Sequence, residues 1–359
     1  MTKHILLGVL FIIIIFVTVS FFRSGDSGSA VNVRSVSNET NSEGKLPVTI
    51  TGNTEVNTMS QRELFIADQI TLPLAGSAPT ENVTHSIPID EIRQGCFQQD
   101  CIPSVDDPKF VSVTEANKLL PEDTIGVALS YKEVDRFYPF NMLVTREIVN
   151  DVVADDPLLV TYCPLCGTGI VFDRSVNGVV YEFGVSGMLW QSNLLMYNRA
   201  PEIEDRNLWS QVLGEAVVGE SAGTKLRVVP SDIMKYVDWA IQNSEGIVLN
   251  TGRIGDPYGG DYYGVARRFA PDFDETSSPL DPSAYVYGIE VGDTFKAYPS
   301  EELPVGVTTD TIGTQVVTIT KSDSGLVVFA NEAGEQLVDI EGFWFSWIAA
   351  HPETELWSK

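Results

Sequence analysis

Residues 158–172 read Leu158-Leu-Val-Thr-Tyr-Cys163-Pro-Leu-Cys166-Gly-Thr-Gly-Ile-Val-Phe172, and they predict a strand, a tight turn and a second strand. Two short apolar runs flank a segment rich in Gly and Pro, which is the pattern of a β-hairpin. In thioredoxin-like pairs the second cysteine begins a helix, whereas metal knuckles place both cysteines on a turn. The order Cys-Pro-Leu-Cys-Gly favours the turn, although structural zinc needs four ligands and this turn offers two.

Comparison of the sequence with itself indicates a repeat after about residue 125. Residues 126–143 resemble residues 288–303. Each copy then continues with an acidic turn, two apolar strands and a helix, which is headed by Trp239 in the first copy and by Trp347 in the second. The second copy has Thr320-Lys-Ser-Asp323 where the first has its cysteine turn. The hairpin therefore does not need cysteines to form, so the two thiols are predicted to serve chemistry.

These patterns predict an α+β, mainly β fold with two degenerate internal repeats of strand hairpins, each followed by a terminal helix. The predicted organisation is a transmembrane signal-anchor at 1–23, a flexible tether at 24–62, the N-terminal part of the ectodomain at 63–124, a first repeat at 125–250 with an inserted segment at 181–229, and a linking loop with the second degenerate repeat at 251–359.

The N-terminal segment predicts membrane attachment. Residues 5–22 are nearly all apolar, and as a helix they extend roughly 27 Å, close to the thickness of the bilayer core. The segment ends in Phe21-Phe22-Arg23, which is a poor cleavage site, so an uncleaved anchor is favoured over a cleaved signal peptide. Lys3 favours a cytoplasmic N-terminus. We therefore expect a single-pass protein of the cell membrane whose C-terminal domain is extracytoplasmic, where disulfides persist.

The net charge of −26 argues against a nucleic-acid partner, because phosphate binding needs the opposite sign. The expected partners are the membrane, through the N-terminal helix, and a small-molecule ligand. The chain has only three histidines, which are His4, His85 and His351. A three-histidine zinc site and a Ser-His-Asp triad are therefore nearly excluded.

Cys163 and Cys166 are the predicted catalytic residues and the predicted metal ligands. The hypothesis is thiol redox chemistry or metal binding, with zinc or copper as the candidate metals, since two thiolates can hold copper(I) without further ligands. Cys96 and Cys101 form a second pair. That pair is either a local disulfide or the other half of a four-thiolate site.

Polar residues just upstream of the thiol strand are the predicted surroundings of the site. Glu147 and Asp151 are four positions apart, so one helical turn would place both carboxylates on one face. The full set of predicted surroundings is Arg146, Glu147, Asn150, Asp151, Ser186, Asn193, Trp209, Asp256 and Tyr258. The alternative function is a non-catalytic binding module for a small molecule or glycan, with a structural cysteine pair and the aromatic residues Trp190, Tyr197, Trp209 and Tyr258.

The chain also resembles the domain-of-unknown-function family numbered 3179. The resemblance rests on Glu147-Ile-Val-Asn-Asp151, Thr161-Tyr-Cys-Pro-Leu-Cys-Gly167, Phe183-Gly-Val-Ser-Gly187, Ser192-Asn-Leu-Leu-Met-Tyr197 and Leu208-Trp-Ser-Gln211. It covers roughly residues 85–357 and implies a family without an established activity. The family pattern has a histidine where this chain has Arg146, so any role that depends on that histidine is not expected here.

Overall fold

The structure is a computed structural model that describes residues 65–70, 80–202, 205–255, 262–266 and 273–358. The predicted anchor and tether lie outside these ranges and stay predictions. Within the described ranges, no helix is long and apolar enough to cross a membrane. The described residues form 25 strands and five short α-helices, which confirms the predicted α+β, mainly β class.

The elements are given in chain order. Before the first repeat lie β1 (Phe65–Ile70), β2 (Thr80–His85), β3 (Ile92–Gln94), β4 (Phe110–Ser112) and α1 (Val113–Ala116). The segment predicted as the first repeat begins with β5 (Ile125–Tyr131), β6 (Val134–Pro139), α2 (Phe140–Leu143), β7 (Ile148–Val153), β8 (Asp156–Cys163) and β9 (Thr168–Asp173).

The inserted segment and its borders contain β10 (Ser175–Val176), β11 (Val179–Val180), β12 (Phe183–Trp190), β13 (Asn193–Asn198), β14 (Leu208–Ser210), β15 (Glu215–Val218) and β16 (Arg227–Val229). The first repeat then ends with β17 (Asp232–Lys235), α3 (Tyr236–Gln242) and β18 (Ile247–Leu249). After α4 (Tyr262–Ala266) come β19 (Tyr285–Val291), β20 (Thr294–Pro299), β21 (Gly306–Ile312), β22 (Gln315–Lys321), β23 (Val327–Asn331), β24 (Asp339–Phe343), α5 (Trp344–Ala350) and β25 (Glu355–Leu356).

The two segments predicted as copies have the same strand order. In the first, the strands pair in the order β17-β5-β6-β18, with β4 added at the edge, and in the second they pair as β24-β19-β20-β25. The pair β6–β18 in the first sheet and the pair β20–β25 in the second are parallel, and the other pairs of these two series are antiparallel. A second antiparallel sheet accompanies each, with β7, β8 and β9 in the first copy and β21, β22 and β23 in the second.

An ion pair with an adjacent tyrosine recurs in both copies. Tyr138 donates a hydrogen bond to Asp151 at 2.7 Å, and Arg136 lies 2.5 Å from the same carboxylate oxygen. The other oxygen of Asp151 accepts from the backbone N–H of Val152 at 2.7 Å. The second copy repeats this arrangement with Lys296, Tyr298, Asp310 and the N–H of Thr311. The carboxylate in each copy therefore fastens the second sheet to the first.

The first copy is built in layers. Helices α1 and α3 pack on one face of the β5–β6 sheet, and the other face packs on the β7–β8–β9 sheet. The remaining face of the β7–β8–β9 sheet is covered by a seven-stranded sheet of order β1-β2-β15-β14-β13-β12-β3. Most of this cover comes from the inserted segment.

In the second copy, the described residues cover only one face of the β21–β22–β23 sheet. Helix α5 packs on the β19–β20 sheet, which packs on the β21–β22–β23 sheet. On the far face of that last sheet, Val307 is 71% exposed and Val316 is 39% exposed. The equivalent face of the first copy is the one that carries Leu159, Thr161 and Cys163, because alternate residues of a strand share a face. The insertion therefore converts an exposed sheet face into a buried one.

The helices predicted to begin at Trp239 and Trp347 start earlier and end sooner. Both tryptophans occupy the fourth position of a two-turn helix. The sequence predicts that the helices continue to Leu249 and Trp357, but β18 and β25 form within these stretches instead. Pairing of β18 with both β6 and β4 satisfies its backbone hydrogen bonds in the sheet. Tertiary pairing thus overrides the local helical pattern.

Candidate functional site

The two free cysteines lie on the predicted turn between β8 and β9. The backbone N–H of Cys166 donates to the carbonyl of Cys163 at 3.1 Å, and Gly167 takes a left-handed φ of 64°. Glycine suits this position because a side chain there is strained. The turn is not exposed, however, since Cys163 is 1% and Cys166 0% accessible. Both sulfurs of this pair therefore lie inside the protein.

The inserted segment supplies the first wall of the site. β12 and β13 are joined by Gln191 and Ser192, whose φ angles of 49° and 63° are both left-handed. Two-residue hairpin turns of this kind usually contain glycine or asparagine, so this one is strained. The Ser192 carbonyl lies 3.7 Å from the Sγ of Cys163 and 3.3 Å from the Sγ of Cys166. The strained turn therefore directs one carbonyl at both thiols.

The second copy supplies the other wall. The N–H of Phe343 donates to the carbonyl of Cys166 at 2.9 Å, and the hydroxyl of Tyr285 donates to the carbonyl of Gly167 at 3.1 Å. Ser346 of α5 is buried beside Cys166 and has no hydrogen-bond partner of standard geometry among the described residues. The site thus lies where the first copy, the insertion and the second copy meet.

A buried amide network holds the site in place. The Asn193 amide donates to the Cys166 sulfur at 3.6 Å and to the Gln211 carbonyl oxygen at 2.9 Å. The same oxygen of Gln211 accepts from the hydroxyl of Thr168 at 2.8 Å, and the Gln211 amide donates to Thr161 at 3.1 Å. Buried networks of this kind are rigid when every member has a partner. The orientation of Asn193 toward the sulfur is therefore fixed.

The two thiols differ in acidity. Burial raises the pKa of Cys163 well above its ordinary value, and the hydrogen bond with Cys166 raises it further. Burial also acts to raise the pKa of Cys166, but hydrogen bonds from Cys163, Ser346 and Asn193 outweigh it and lower the pKa below its ordinary value. Hydrogen bonds to a charged form favour that form. Cys166 is therefore the more acidic thiol of the pair.

Glu147 lies close enough to Cys163 to interact with it electrostatically. Burial raises the pKa of this carboxyl well above its ordinary value, and the neighbouring Cys163 adds to the rise. Glu147 is not on a helical turn, since its φ is 60° and the strand β7 begins at the next residue. The expectation that Glu147 and Asp151 share a helical face is therefore wrong, because residues 148–153 form a strand and Glu147 precedes it in a left-handed conformation.

The other upstream residues lie away from the thiols. Asp151 belongs to the ion pair with Arg136. Asn150 joins two sheets, since its amide oxygen accepts from the N–H of Phe183 and its amide nitrogen donates to the carbonyl of Phe183, both at 2.8 Å. Arg146 is half-buried, and its Nε has no hydrogen-bond partner in the described parts of the chain. None of these three residues hydrogen-bonds to either thiol there.

Two predicted residues of the insertion are structural. Ser186 is fully buried, and its hydroxyl donates to the carbonyl of Leu195 at 2.5 Å and accepts from the N–H of Met188 at 3.0 Å, across an irregularity in β12. Trp209 is 1% exposed and packs edge-on against Phe183 in the same cluster as the thiols. Asp256 and Tyr258 lie outside the described residues.

The second cysteine pair is a disulfide between Cys96 and Cys101, whereas Cys163 and Cys166 are free. The disulfide loop packs on Gly187 of β12, whose carbonyl accepts from the N–H of Cys96 at 3.0 Å. The alternative of a four-thiolate site is therefore wrong, because two of its ligands are bonded to each other. Among the described residues, no three His, Cys, Asp or Glu side chains are grouped to hold a metal ion.

Three residues of the site were not predicted as site residues, namely Ser192, Gln211 and Ser346. The first two stand in segments on which the family resemblance rests, and that was the available signal. Ser346 carried no signal, because it comes from the copy that lacks cysteines and lies 180 residues after Cys166 (346 − 166).

Comparison with known proteins agrees with the resemblance in the sequence. No curated protein and no solved structure is significantly similar to this chain. The family described as "Protein of unknown function (DUF3179)" matches residues 99–337, which include the thiol turn, the insertion and most of the second copy. The chain therefore belongs to the DUF3179 family.

Proposed function

We propose that the protein is a thiol redox protein in which Cys163 and Cys166 interconvert between a dithiol and a disulfide. The observation that carries the proposal is the placement of two free, buried thiols on one turn, where both sulfurs contact the Ser192 carbonyl and the Asn193 amide donates to the sulfur of Cys166. Structural cysteines buried in apolar surroundings are inert because their pKa values rise. The lowered pKa of Cys166 departs from that pattern and favours a reactive sulfur.

The residues have distinct roles in the proposed reaction. The sulfur of Cys166 is the nucleophile, stabilised by the amide of Asn193 and the hydroxyl of Ser346. Oxidation forms the Cys163–Cys166 bond and releases two electrons and two protons to an acceptor. Glu147 is the proton relay for Cys163, because this buried carboxyl interacts with that thiol and burial raises its pKa.

Copper(I) binding is the second candidate function. Two thiolates on one turn in apolar surroundings suit copper(I), which accepts soft ligands at low coordination number. Cys163 and Cys166 would hold the ion. The donor set does not fit structural zinc, because zinc needs four ligands and the described residues bring no third His, Cys, Asp or Glu side chain into such a group.

The cellular setting and the origin of the fold are part of the same proposal. The N-terminal apolar segment anchors the chain in the cell membrane, and the redox domain is extracytoplasmic. The Cys96–Cys101 disulfide supports this location, because disulfides persist in oxidising compartments. The two copies arose by duplication, which the recurring Tyr–Asp hydrogen bonds support. A glycan-binding role is less well supported, since Trp190, Tyr197 and Trp209 are all buried.

A redox titration tests the proposal. The full-length chain in detergent is equilibrated with glutathione buffers of increasing oxidising strength, its free thiols are trapped in denaturant, and its peptides are identified by mass spectrometry. We expect a reversible two-electron transition that forms only the Cys163–Cys166 bond. The Cys163→Ser variant should lose the transition while Cys96–Cys101 remains oxidised. A pair that stays fully reduced in every buffer would eliminate the redox function, and copper(I) titration would then decide the second candidate.

A further inference from the structure

The turn between β12 and β13 lies directly against the thiol pair. It consists of Gln191 and Ser192, and Ser192 is fully buried. The Ser192 carbonyl accepts from the thiol of Cys166 at 3.3 Å and from the thiol of Cys163 at 3.7 Å. The inner side of the turn is therefore held by the same groups that carry the proposed redox chemistry.

The Ser192 carbonyl depends on the two thiols for its hydrogen bonds. Within the described parts of the chain, no group other than Cys163 and Cys166 donates to this oxygen. A thiol is a weak donor, and it can donate only while it carries its S–H proton. A buried carbonyl that loses its donors bears the cost of having been removed from water. The favourable contact therefore lasts only while the pair is reduced.

The backbone of the turn is strained. Gln191 and Ser192 have φ angles of 49° and 63°, in the left-handed region that disfavours residues other than glycine. Such a conformation persists only while its surroundings hold it. On the outer side, the Gln191 amide donates to Glu91 at 2.8 Å, and the Ser192 hydroxyl donates to the carbonyl of Ala266 at 2.8 Å. These two bonds do not involve sulfur, so oxidation of the thiols changes only the inner contacts.

We propose that this turn is a redox-sensitive lid, held closed by the two thiols and released when Cys163 and Cys166 form a disulfide; this inference rests on the proposed redox function. When the sulfur–sulfur bond forms, both S–H protons and two electrons leave the pair. A low-molecular-weight disulfide that accepts them is reduced to two thiols. The Ser192 carbonyl then has no S–H donor, and the strained backbone relaxes. Release gives a reductant access to the protein disulfide, whereas the dithiol stays covered.

Hydrogen–deuterium exchange with detection by mass spectrometry tests the lid. The full-length chain in detergent is compared as the dithiol and as the Cys163–Cys166 disulfide, which is prepared with glutathione disulfide. We expect the amides of residues 188–196, the tip of the β12–β13 hairpin, to exchange about tenfold faster in the disulfide form, equal to the loss of ~1.4 kcal/mol of protection. The β21–β22 hairpin of the second copy is the internal reference, and its exchange should be equal in both forms.

Two double variants separate the loss of the donors from the formation of the bond. Cys163→Ser with Cys166→Ser keeps a hydroxyl donor at each position and cannot form the disulfide, so the tip should stay protected in oxidising buffer. Cys163→Ala with Cys166→Ala removes both donors, so the tip should exchange as fast as in the wild-type disulfide. The wild-type comparison requires neither variant to fold.

The outcomes distinguish the lid from the redox function. Equal exchange of the tip in the dithiol and the disulfide would overturn the lid and leave the redox function standing. A tip that exchanges fast in the serine variant, while the reference hairpin stays protected, would overturn the lid as well. A thiol pair that glutathione disulfide does not oxidise would overturn both proposals.

Discussion

Removal of the Ser346 hydroxyl should raise the pKa of Cys166. This hydroxyl is one of the three groups whose hydrogen bonds lower the pKa of that thiol, and it is 2% exposed. A hydrogen bond to a charged group contributes roughly 1.5–3 kcal/mol, and one pKa unit corresponds to about 1.4 kcal/mol. We therefore expect Ser346→Ala to raise the pKa of Cys166, with an effect at the low end of this energy range because the contact lacks standard hydrogen-bond geometry.

The change should leave the fold intact, because no group in the described residues forms a hydrogen bond of standard geometry with the Ser346 hydroxyl. The assay is NMR of isotope-labelled cysteine, in which the chain gives signals from only four cysteines. Ser210→Ala is the control, since Ser210 is equally buried but its hydroxyl accepts from the N–H of Leu213. An unchanged pKa in Ser346→Ala, or an equal shift in Ser210→Ala, would refute the assigned role.

Three further predictions concern stability. Gly167→Ala should lower the free energy of unfolding by about 1–3 kcal/mol, because φ is 64° and the new Cβ would lie 3.1 Å from the Phe343 ring. Gly178 is also left-handed, but a Cβ there would meet open space. Urea unfolding should therefore show a smaller loss of stability for Gly178→Ala than for Gly167→Ala. Asp151→Asn should lower the free energy of unfolding by about 3–5 kcal/mol, because it leaves Arg136 without its charged partner. Asp310→Asn should lower it less, because the side chain of Asp310 is 20% exposed and that of Asp151 only 3%. Burial raises the pKa of Asp339 to about 8, so the folded protein favours the neutral carboxyl. The stability that this preference contributes is complete below about pH 4 and is lost as the pH rises through about 8. Melting temperatures across that range should fall more steeply in the wild type than in Asp339→Asn, and parallel curves would contradict the assignment.

Much of the strand architecture could be predicted from local sequence. The apolar runs around the cysteine turn, and the Gly and Pro residues between them, predict a hairpin because side chains alternate across a sheet. Glu147 shows where such reasoning fails. A spacing of four suggested a helical turn with Asp151, but Glu147 has a left-handed φ of 60° just before β7, whereas Asp151 lies within β7 opposite Leu158. Strand pairing depends on a partner that a local pattern does not contain.

The sequence by itself determined that two thiols lie on a hairpin turn, that the fold is mainly β, and that the chain belongs to its family. It did so because turn chemistry and side-chain alternation are local properties. Only the tertiary structure decided that the turn is buried, and that Ser192 and Ser346 lie against Cys166. These contacts join segments far apart in the chain. The acidity of a thiol follows from burial and hydrogen-bond donors, and both are set by the packing of three separate parts of the molecule.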